Sequence, residues 1–342
     1  MHVMKNRFFI IAIGGFVAAI IIFTGSVFVM ARTMVALQSD ETVVVEVRLG
    51  EGLSQFLRRV HREGSVSGTG FLRLLAMLRG DSRNIKAGEY AFQGRVSPKV
   101  FLDTLVDGKA RFLSITIPDG FSLKEIAARV EATQLGSAEE FLRLTHDRTF
   151  IDGLGLPFQN LKNLEGLIFP ETYFFSKGLP VSRIISNMVS QYRSQAHQIL
   201  EQKSSNVKMS PYEALIMASI IEKETGLAAE RPTISGVFHN RLRKGMRLDS
   251  DPTVIYGVEG FTGNLTRKHL RTYTPYNTYK IYGLPPTPIA SPGLDSIRAA
   301  VAPEKVSFLF FVGKGDGSHF FSSDLKTHNK AVWEYQKKPA LK

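Results

Sequence analysis

Residues 210–225 read SPYEALIMASIIEKET, and the rest of the chain is interpreted around them. Ser210 is a favourable N-cap, Pro211 suits the first helical position, and Glu213 completes a capping box. The next eight residues, 214–221, carry no charge. We therefore expect a helix that is buried on nearly every side.

Two acids follow this uncharged run. Glu222 and Glu224 are separated by one residue, so their side chains point about 200° apart on a helix and cannot both face one substrate. A carboxyl beside buried apolar groups has a raised pKa, as a general acid on a glycosidic oxygen requires. Small residues one turn away leave room for a ligand beside Glu222, which is the predicted acid; Glu224 is the alternative. The alternative interpretation of both glutamates is an ordinary helix end that reaches solvent, where charged side chains are normal.

The N-terminus predicts a membrane anchor. Residues 8–31 form an uncharged run of 24 residues, long enough to cross a bilayer and longer than a cleaved signal segment usually is. Lys5 and Arg7 precede it, and this bias places residues 1–7 in the cytoplasm and the bulk of the chain outside the cytoplasmic membrane. Residues 32–42 are predicted to be a linker.

The composition is that of a globular protein. The chain has 342 residues, 44% of them hydrophobic and 22% charged, which allows two or three domains. The net charge of +12 would suit an anionic membrane or an acidic polymer. We find no nucleic-acid motif, and the histidines show no metal-ligand spacing. His319 and His328 are therefore expected to be structural. The absence of cysteine excludes disulfides.

A strand–turn–helix pattern occurs twice. A β-branched strand at 43–49 is followed by Gly50 and an amphipathic helix, and the pattern recurs from Ile115 through Gly120. Such a unit is common in α+β proteins. We expect a small α+β subdomain at 43–117, and then a larger mixed α+β part around the buried helix. In that larger part we expect a long amphipathic helix near 181–200 and a short helix that is capped by Ser291.

The second half also contains loops rich in glycine, proline and tyrosine. One is residues 165–173, and a longer one is residues 274–292. Tyrosines that stack on sugar faces suit the edge of a saccharide cleft, although a rigid scaffold would have the same composition. A glycoside hydrolase needs a second carboxylate, whereas a single acid suffices if the substrate supplies the nucleophile. The candidate second carboxylates are Glu165, Glu171, Asp249 and Asp251.

Seven segments resemble the endolytic murein transglycosylases of the YceG-like (MltG) family, in the family's order. These segments are residues 165–173, 218–225, 240–242, 251–257, 276–279, 283–286 and 317–322. The resemblance covers nearly the whole chain after the anchor. One departure is Thr287, where the family usually has glycine.

The resemblance implies a single-pass enzyme of the bacterial inner membrane with its bulk in the periplasm. It would cleave the bond between N-acetylmuramic acid and N-acetylglucosamine within nascent peptidoglycan and leave a 1,6-anhydro end, so that glycan elongation is limited. Residues 43–117 would be LysM-like, residues 118–342 catalytic, and Glu222 the general acid and base. No metal or organic cofactor is implied.

We expect the glycan strand to contact a set of polar and aromatic residues. These are Glu165, Tyr173, Asn240, Arg241, Asp251, Thr253, Tyr256, Tyr276, Asn277 and Tyr279. The expected partners are peptidoglycan strands, the lipid bilayer through residues 8–31, and peptidoglycan synthases. The competing interpretation is a non-catalytic, membrane-anchored scaffold of the wall-synthesis machinery that binds peptidoglycan.

Overall fold

The computed structural model describes residues 20–31, 34–48, 50–108, 112–176, 179–202, 204, 207–261 and 263–337. These residues form a mixed α+β fold with many helices and three two-stranded sheets, which confirms the predicted class. The chain divides into two compact units. The first comprises Met1–Leu113 and Phe174–Leu179, and the second comprises Ser114–Tyr173 and Pro180–Lys342.

The predicted anchor is only partly described. Residues 8–19 lie outside the described residues, and residues 20–31 are helical (α1). Among the residues that the structure describes, none of the helices has the length and hydrophobicity needed to cross a membrane.

The first unit packs three helices against a two-stranded sheet. Its further elements are β1 (Leu37–Val47), α2 (Leu53–Arg62), α3 (Thr69–Arg79), β2 (Gly88–Val96) and α4 (Pro98–Asp107). The strands are antiparallel, with Val45 opposite Tyr90. Phe92 stacks on Phe101 with ring centroids 4.8 Å apart, and both are buried. Alternating strand residues and one face of each helix therefore supply the core.

Strand β1 begins at Leu37 rather than Val43, within the stretch predicted as a linker. Leu37 pairs with Val96, and the register shifts between Ser39 and Val43. The sequence LQSDET has no alternation of apolar residues. Backbone pairing with β2 extends the strand, and a single-sequence pattern does not contain that information.

The second unit and the strands that lead into it hold the remaining elements. They are β3 (Phe112–Thr116), α5 (Leu123–Ala132), α6 (Ala138–His146), α7 (Arg148–Gly153), β4 (Thr172–Ser176), α8 (Val181–Gln195), α9 (His197–Glu201), α10 (Pro211–Glu224), α11 (Arg231–Arg243), α12 (Asp251–Gly257), α13 (Arg267–Arg271), α14 (Leu294–Val301), β5 (Phe310–Gly313), β6 (His319–Ser322) and α15 (Leu325–Val332). Strand β3 pairs with β4, and β5 with β6.

Helix α10 forms as the sequence predicts. The Ser210 hydroxyl accepts from the Glu213 N–H, and the Glu213 carboxylate accepts from the Ser210 N–H at 2.7 Å. Residues 214–221 are all buried. Helices α9, α11, α12 and α14 pack around α10. The end of α10 is therefore held rigidly within the unit.

The elements around α10 differ from the sequence predictions in two places. The predicted helix at 181–200 is divided at Ala196 into α8 and α9. Helix α14 has Gly293 as its N-cap, not the predicted Ser291. The Ser291 N–H instead donates to the Phe121 carbonyl, so the backbone at Ser291 is bonded to the segment before α5.

Replacing Ser210 with alanine should lower the free energy of unfolding by about 1 kcal/mol, because the substitution removes one partner of the capping box. Urea denaturation would measure the loss. Ser190→Ala is the matched control, since Ser190 is exposed in the interior of α8. Equal stability of the two variants would contradict this role for the cap.

Candidate active site

The end of α10 separates its two glutamates into different environments. The Arg231 guanidinium donates to Glu222 Oε1 at 2.9 Å, and the Gly293 N–H donates to Oε2 at 2.9 Å. The Glu222 side chain is only 5% exposed. Both carboxylate oxygens of Glu222 are therefore occupied by protein donors.

The space expected beside Glu222 is filled by the segment before α14. The Ser219 hydroxyl accepts from the Ile289 N–H at 3.0 Å. A Cβ on Gly293 would lie 2.4 Å from Asp119 Oδ2, so only glycine fits between Asp119 and Glu222. The small Ser219 of α10 thus packs against this backbone segment. Burial, followed by the negative charge of Glu222, raises the pKa of Asp119.

Glu224 faces the other side of the helix and lines a cavity of about 460 Å³. Burial, together with the charge of Asp251, raises its pKa to about 7, although a hydrogen bond from the Ser250 hydroxyl and the charge of Arg241 oppose the shift. Glu224 can therefore hold a proton near neutral pH, which is the property expected of a general acid.

One wall of this cavity comes from the turn that leads into α12. Arg241 donates to the Leu248 carbonyl at 2.8 Å and to Asp249 Oδ2 at 3.0 Å. The Tyr279 hydroxyl donates to Asp251 Oδ1 at 2.7 Å. These bonds place two carboxylates, a guanidinium and a phenol beside Glu224, all of which line the cavity.

Two histidines, which the sequence reading treated as structural, also line the cavity. His319 lies on β6, and its ring Nδ1 is 2.6 Å from Glu230 Oε2. His328 lies on α15 and stacks on Phe310 with centroids 5.2 Å apart. Burial lowers the pKa of His328. No spacing signal could have found this pair, because their partners are distant in sequence.

The residues predicted to bind the glycan divide into two groups. Arg241, Asp251 and Tyr279 line the cavity with Glu224. The others are not among its lining residues in the described chain. They are Glu165, Tyr173, Asn240, Thr253, Tyr256, Tyr276 and Asn277.

The residues of the second group hold the loops in place. Asn240 Nδ2 donates to the Val306 and Phe308 carbonyls at 2.8 and 2.9 Å. Asn277 is fully buried, and its Nδ2 donates to three carbonyls, the shortest bond being 2.6 Å to Thr272. The hydroxyl of Thr253 accepts from or donates to that of Thr278 at 2.8 Å. Amide and hydroxyl groups that could have bound sugars thus satisfy buried backbone instead.

The tyrosines that were predicted to contact the glycan also make hydrogen bonds and ring contacts within the protein. The Tyr173 hydroxyl donates to the Phe169 carbonyl at 2.6 Å. Tyr276 pairs with the Thr287 hydroxyl at 2.9 Å, and its ring meets the Tyr256 ring edge to face at 4.8 Å. The residue that departs from the family pattern, Thr287, is therefore an internal hydrogen-bond partner.

Glu165 is a buried acid that does not line the cavity. It is 2% exposed, accepts from the Leu123 N–H at 3.0 Å, and accepts from the Tyr256 hydroxyl at 2.8 Å. Leu123 is the first residue of α5, so the carboxylate also meets the positive end of that helix. Burial raises the pKa of Glu165 to about 7, although both hydrogen bonds oppose the shift.

Because the folded-state pKa of Glu165 lies above its usual value, the wild type should lose stability as pH rises from about 4.5 to 7. Glu165→Gln should reduce this loss of stability by up to about 3 kcal/mol over that pH range. Urea denaturation at several pH values would measure it. Glu139→Gln, at an exposed site on α6, should leave the slope as it is; a slope unchanged in Glu165→Gln would refute the prediction.

Arg231→Ala should cost about 3 kcal/mol, because it leaves the Glu222 carboxylate buried and without its cation. Arg298→Ala is the matched control: it removes an exposed partner of Asp295 and should cost less than about 1 kcal/mol. Urea midpoints would compare the two variants. Similar small losses in both would mean that the Glu222–Arg231 pair adds little to stability.

Comparison with known proteins relates this chain to one protein family. The YceG-like family model matches residues 45–334. The endolytic murein transglycosylase of Bacillus subtilis strain 168 is 32% identical over 310 residues, which are 87% of this chain and 86% of that protein. The protein of that name from Streptococcus pneumoniae serotype 2 strain D39 is 29% identical over 282 residues, 74% of this chain and 51% of its own length.

A solved structure of a YceG-like protein from Listeria monocytogenes is also similar. Its TM-score is 0.57 at 32% sequence identity, over 85% of this chain and 99% of that one. The family model spans most of the two units, and the Bacillus relative matches along most of both chains. The chain belongs to the YceG-like family.

Proposed function

We propose that the protein is an endolytic murein transglycosylase, a lyase that cuts peptidoglycan strands internally. Family membership and the names of the relatives support this activity. The observation that carries the proposal is Glu224, an acid with a pKa raised to about 7 in a cavity of about 460 Å³. A cavity of that size can enclose a few sugar rings.

Glu224 is the proposed general acid. In its neutral form it donates a proton to the oxygen between N-acetylmuramic acid and N-acetylglucosamine, and the bond from the anomeric carbon to that oxygen breaks. Glu224, now a carboxylate, takes the proton from the 6-hydroxyl of the muramic acid. The 6-oxygen bonds to the anomeric carbon, which gives the 1,6-anhydro end. The acid returns to its neutral form, and no water is consumed.

This choice reverses the preference reached from sequence. Glu222 has both oxygens bonded to Arg231 and Gly293, so proton donation from it would first require that the ion pair be broken. Glu224 has one hydrogen bond from Ser250 and lies against open volume. We assign Glu222 to holding the end of α10, and the proton transfer to Glu224.

The other cavity groups have complementary tasks in this proposal. The Tyr279 ring and the Arg241 guanidinium offer a stacking face and fixed donors for hydroxyl and acetamido groups. Asp251, held by Tyr279, stabilises positive charge that develops at the anomeric carbon. If Asp251 instead activated a water, the same cavity would support a hydrolase, and the product distinguishes the two.

The surroundings of the enzyme form part of the proposal. Residues 8–31 would anchor it in the inner membrane with the N-terminus cytoplasmic, and residues 43–117 would be the LysM-like piece of the family. The 24-residue uncharged run supports the anchor. In this location the enzyme would meet nascent strands and peptidoglycan synthases and would limit strand length.

Glu224→Gln should lower the yield of anhydro-muropeptides from purified murein at least about 100-fold, since the amide cannot donate the required proton. Glu222→Gln is the matched control, two residues away, and should retain activity within about 10-fold. Thermal melting would establish that both variants are folded. Muropeptide analysis by mass spectrometry would measure the products.

The dependence of activity on pH is a second test of the proposed role of Glu224. Activity should decline as pH rises through about 7, because Glu224 loses the proton that it must donate. Loss of activity in Glu222→Gln with activity kept in Glu224→Gln would return the acid to Glu222. New reducing ends would indicate a hydrolase, and unchanged murein would favour the scaffold.

A further inference from the structure

The first unit contains a cavity that is separate from the candidate active site. It has a volume of about 520 Å³ and lies between α2 and α3. Arg58, Arg62 and Arg73, here called the cavity arginines, line it together with His61 and the first turn of α3. No carboxylate is among the residues that line it.

The cavity arginines differ from the other arginines of the same two helices. Arg59 is paired with Glu51 at 2.8 Å, and Arg79 with Asp81 at 2.8 Å. Within the described part of the chain, the cavity arginines form neither an ion pair nor a side-chain hydrogen bond. Three guanidinium groups around one concave surface create a positive potential that favours an anion.

An exposed apolar face continues from this cavity along α3. Leu74, Met77 and Leu78 are 38%, 60% and 56% exposed, whereas Leu72 and Leu75 of the same helix are buried. Residues 73, 74, 77 and 78 share one side of the helix, because positions three and four apart are neighbours. The outer side of α3 therefore combines cations at its start with aliphatic side chains toward its end.

The same unit holds the most apolar helix of the described chain. Val27 of α1 packs against a core cluster that includes Ala31, and Ile21 and Ile22 remain 63% and 69% exposed. A unit with two exposed aliphatic helix faces and a basic cavity matches the chemistry of a bilayer surface. Aliphatic groups enter the interface, and arginines bind phosphate there.

We propose that the cavity arginines and the outer face of α3 bind anionic phospholipid head groups of a bilayer. The guanidinium groups bind the phosphate oxygens in bidentate fashion, and Leu74, Met77 and Leu78 enter the acyl boundary. A hydrated glycan fits less well, because no tyrosine, tryptophan or phenylalanine lines the cavity and the neighbouring face is aliphatic. This site is independent of the transglycosylase activity and of whether residues 8–31 cross the membrane.

The absence of cysteine allows a direct test on the full chain. Met77→Cys would be labelled with an environment-sensitive fluorophore and reconstituted in nanodiscs of phosphatidylcholine alone or with phosphatidylglycerol. We expect a blue shift with phosphatidylglycerol, and quenching by spin-labelled lipid. Gln93→Cys, at an exposed position on β2, should keep the emission of a label in water.

Charge variants in the Met77→Cys background test the arginines. Replacing all three with glutamine should abolish the blue shift, whereas replacing them with lysine should retain only part of it, since lysine keeps the charge but cannot bind phosphate in bidentate fashion. All three side chains are exposed, so both variants should melt like the parent.

Three outcomes would overturn the proposal. The first is identical emission in the two kinds of nanodisc. The second is a shift produced by inorganic phosphate alone, which would indicate a phosphate site without a membrane. The third is a shift that grows with the number of protein copies per nanodisc, which would indicate that a second copy covers α3.

Discussion

The burial of α10 is the constraint on which the second unit depends. Ala214 to Ile221 contact protein on every side, so the helix cannot rotate or slide without exposing apolar surface. The two acids at its end are therefore fixed in opposite directions. Each must be compensated where it lies: Glu222 by Arg231, and Glu224 by retaining a proton near neutral pH.

This arrangement gives one helix end two kinds of carboxyl. An ion pair suits a group that must stay in place, because removing either partner leaves a buried charge. A raised pKa suits a group that exchanges protons. The segment before α14 contributes to the difference, since the Gly293 N–H donates to Glu222 and a Cβ on Gly293 would meet Asp119.

The sequence predicted local features well and contacts poorly. The capping box of Ser210, the buried run and the glycine turns at Gly50 and Gly120 all depend on neighbouring residues, and the structure contains them. Sequence also limited the acid to two candidates. It placed Glu222 first, because the sequence does not show that Glu222 contacts Arg231 and the segment before α14. Amides such as Asn277 were predicted to bind the glycan because composition does not show that their donors bond backbone carbonyls in the fold.

The walls of the cavity have a consequence for how the protein is made. Its lining begins at Glu224 and ends at Gln336, in the π-helical turn that follows α15. A ribosome that has completed α11 has already produced the acid but neither β5 nor α15. Until those elements pack, the cavity beside Glu224 lacks the walls that β5 and α15 provide. Glu224 therefore becomes enclosed only after elements near the end of the described chain have been synthesised and have packed.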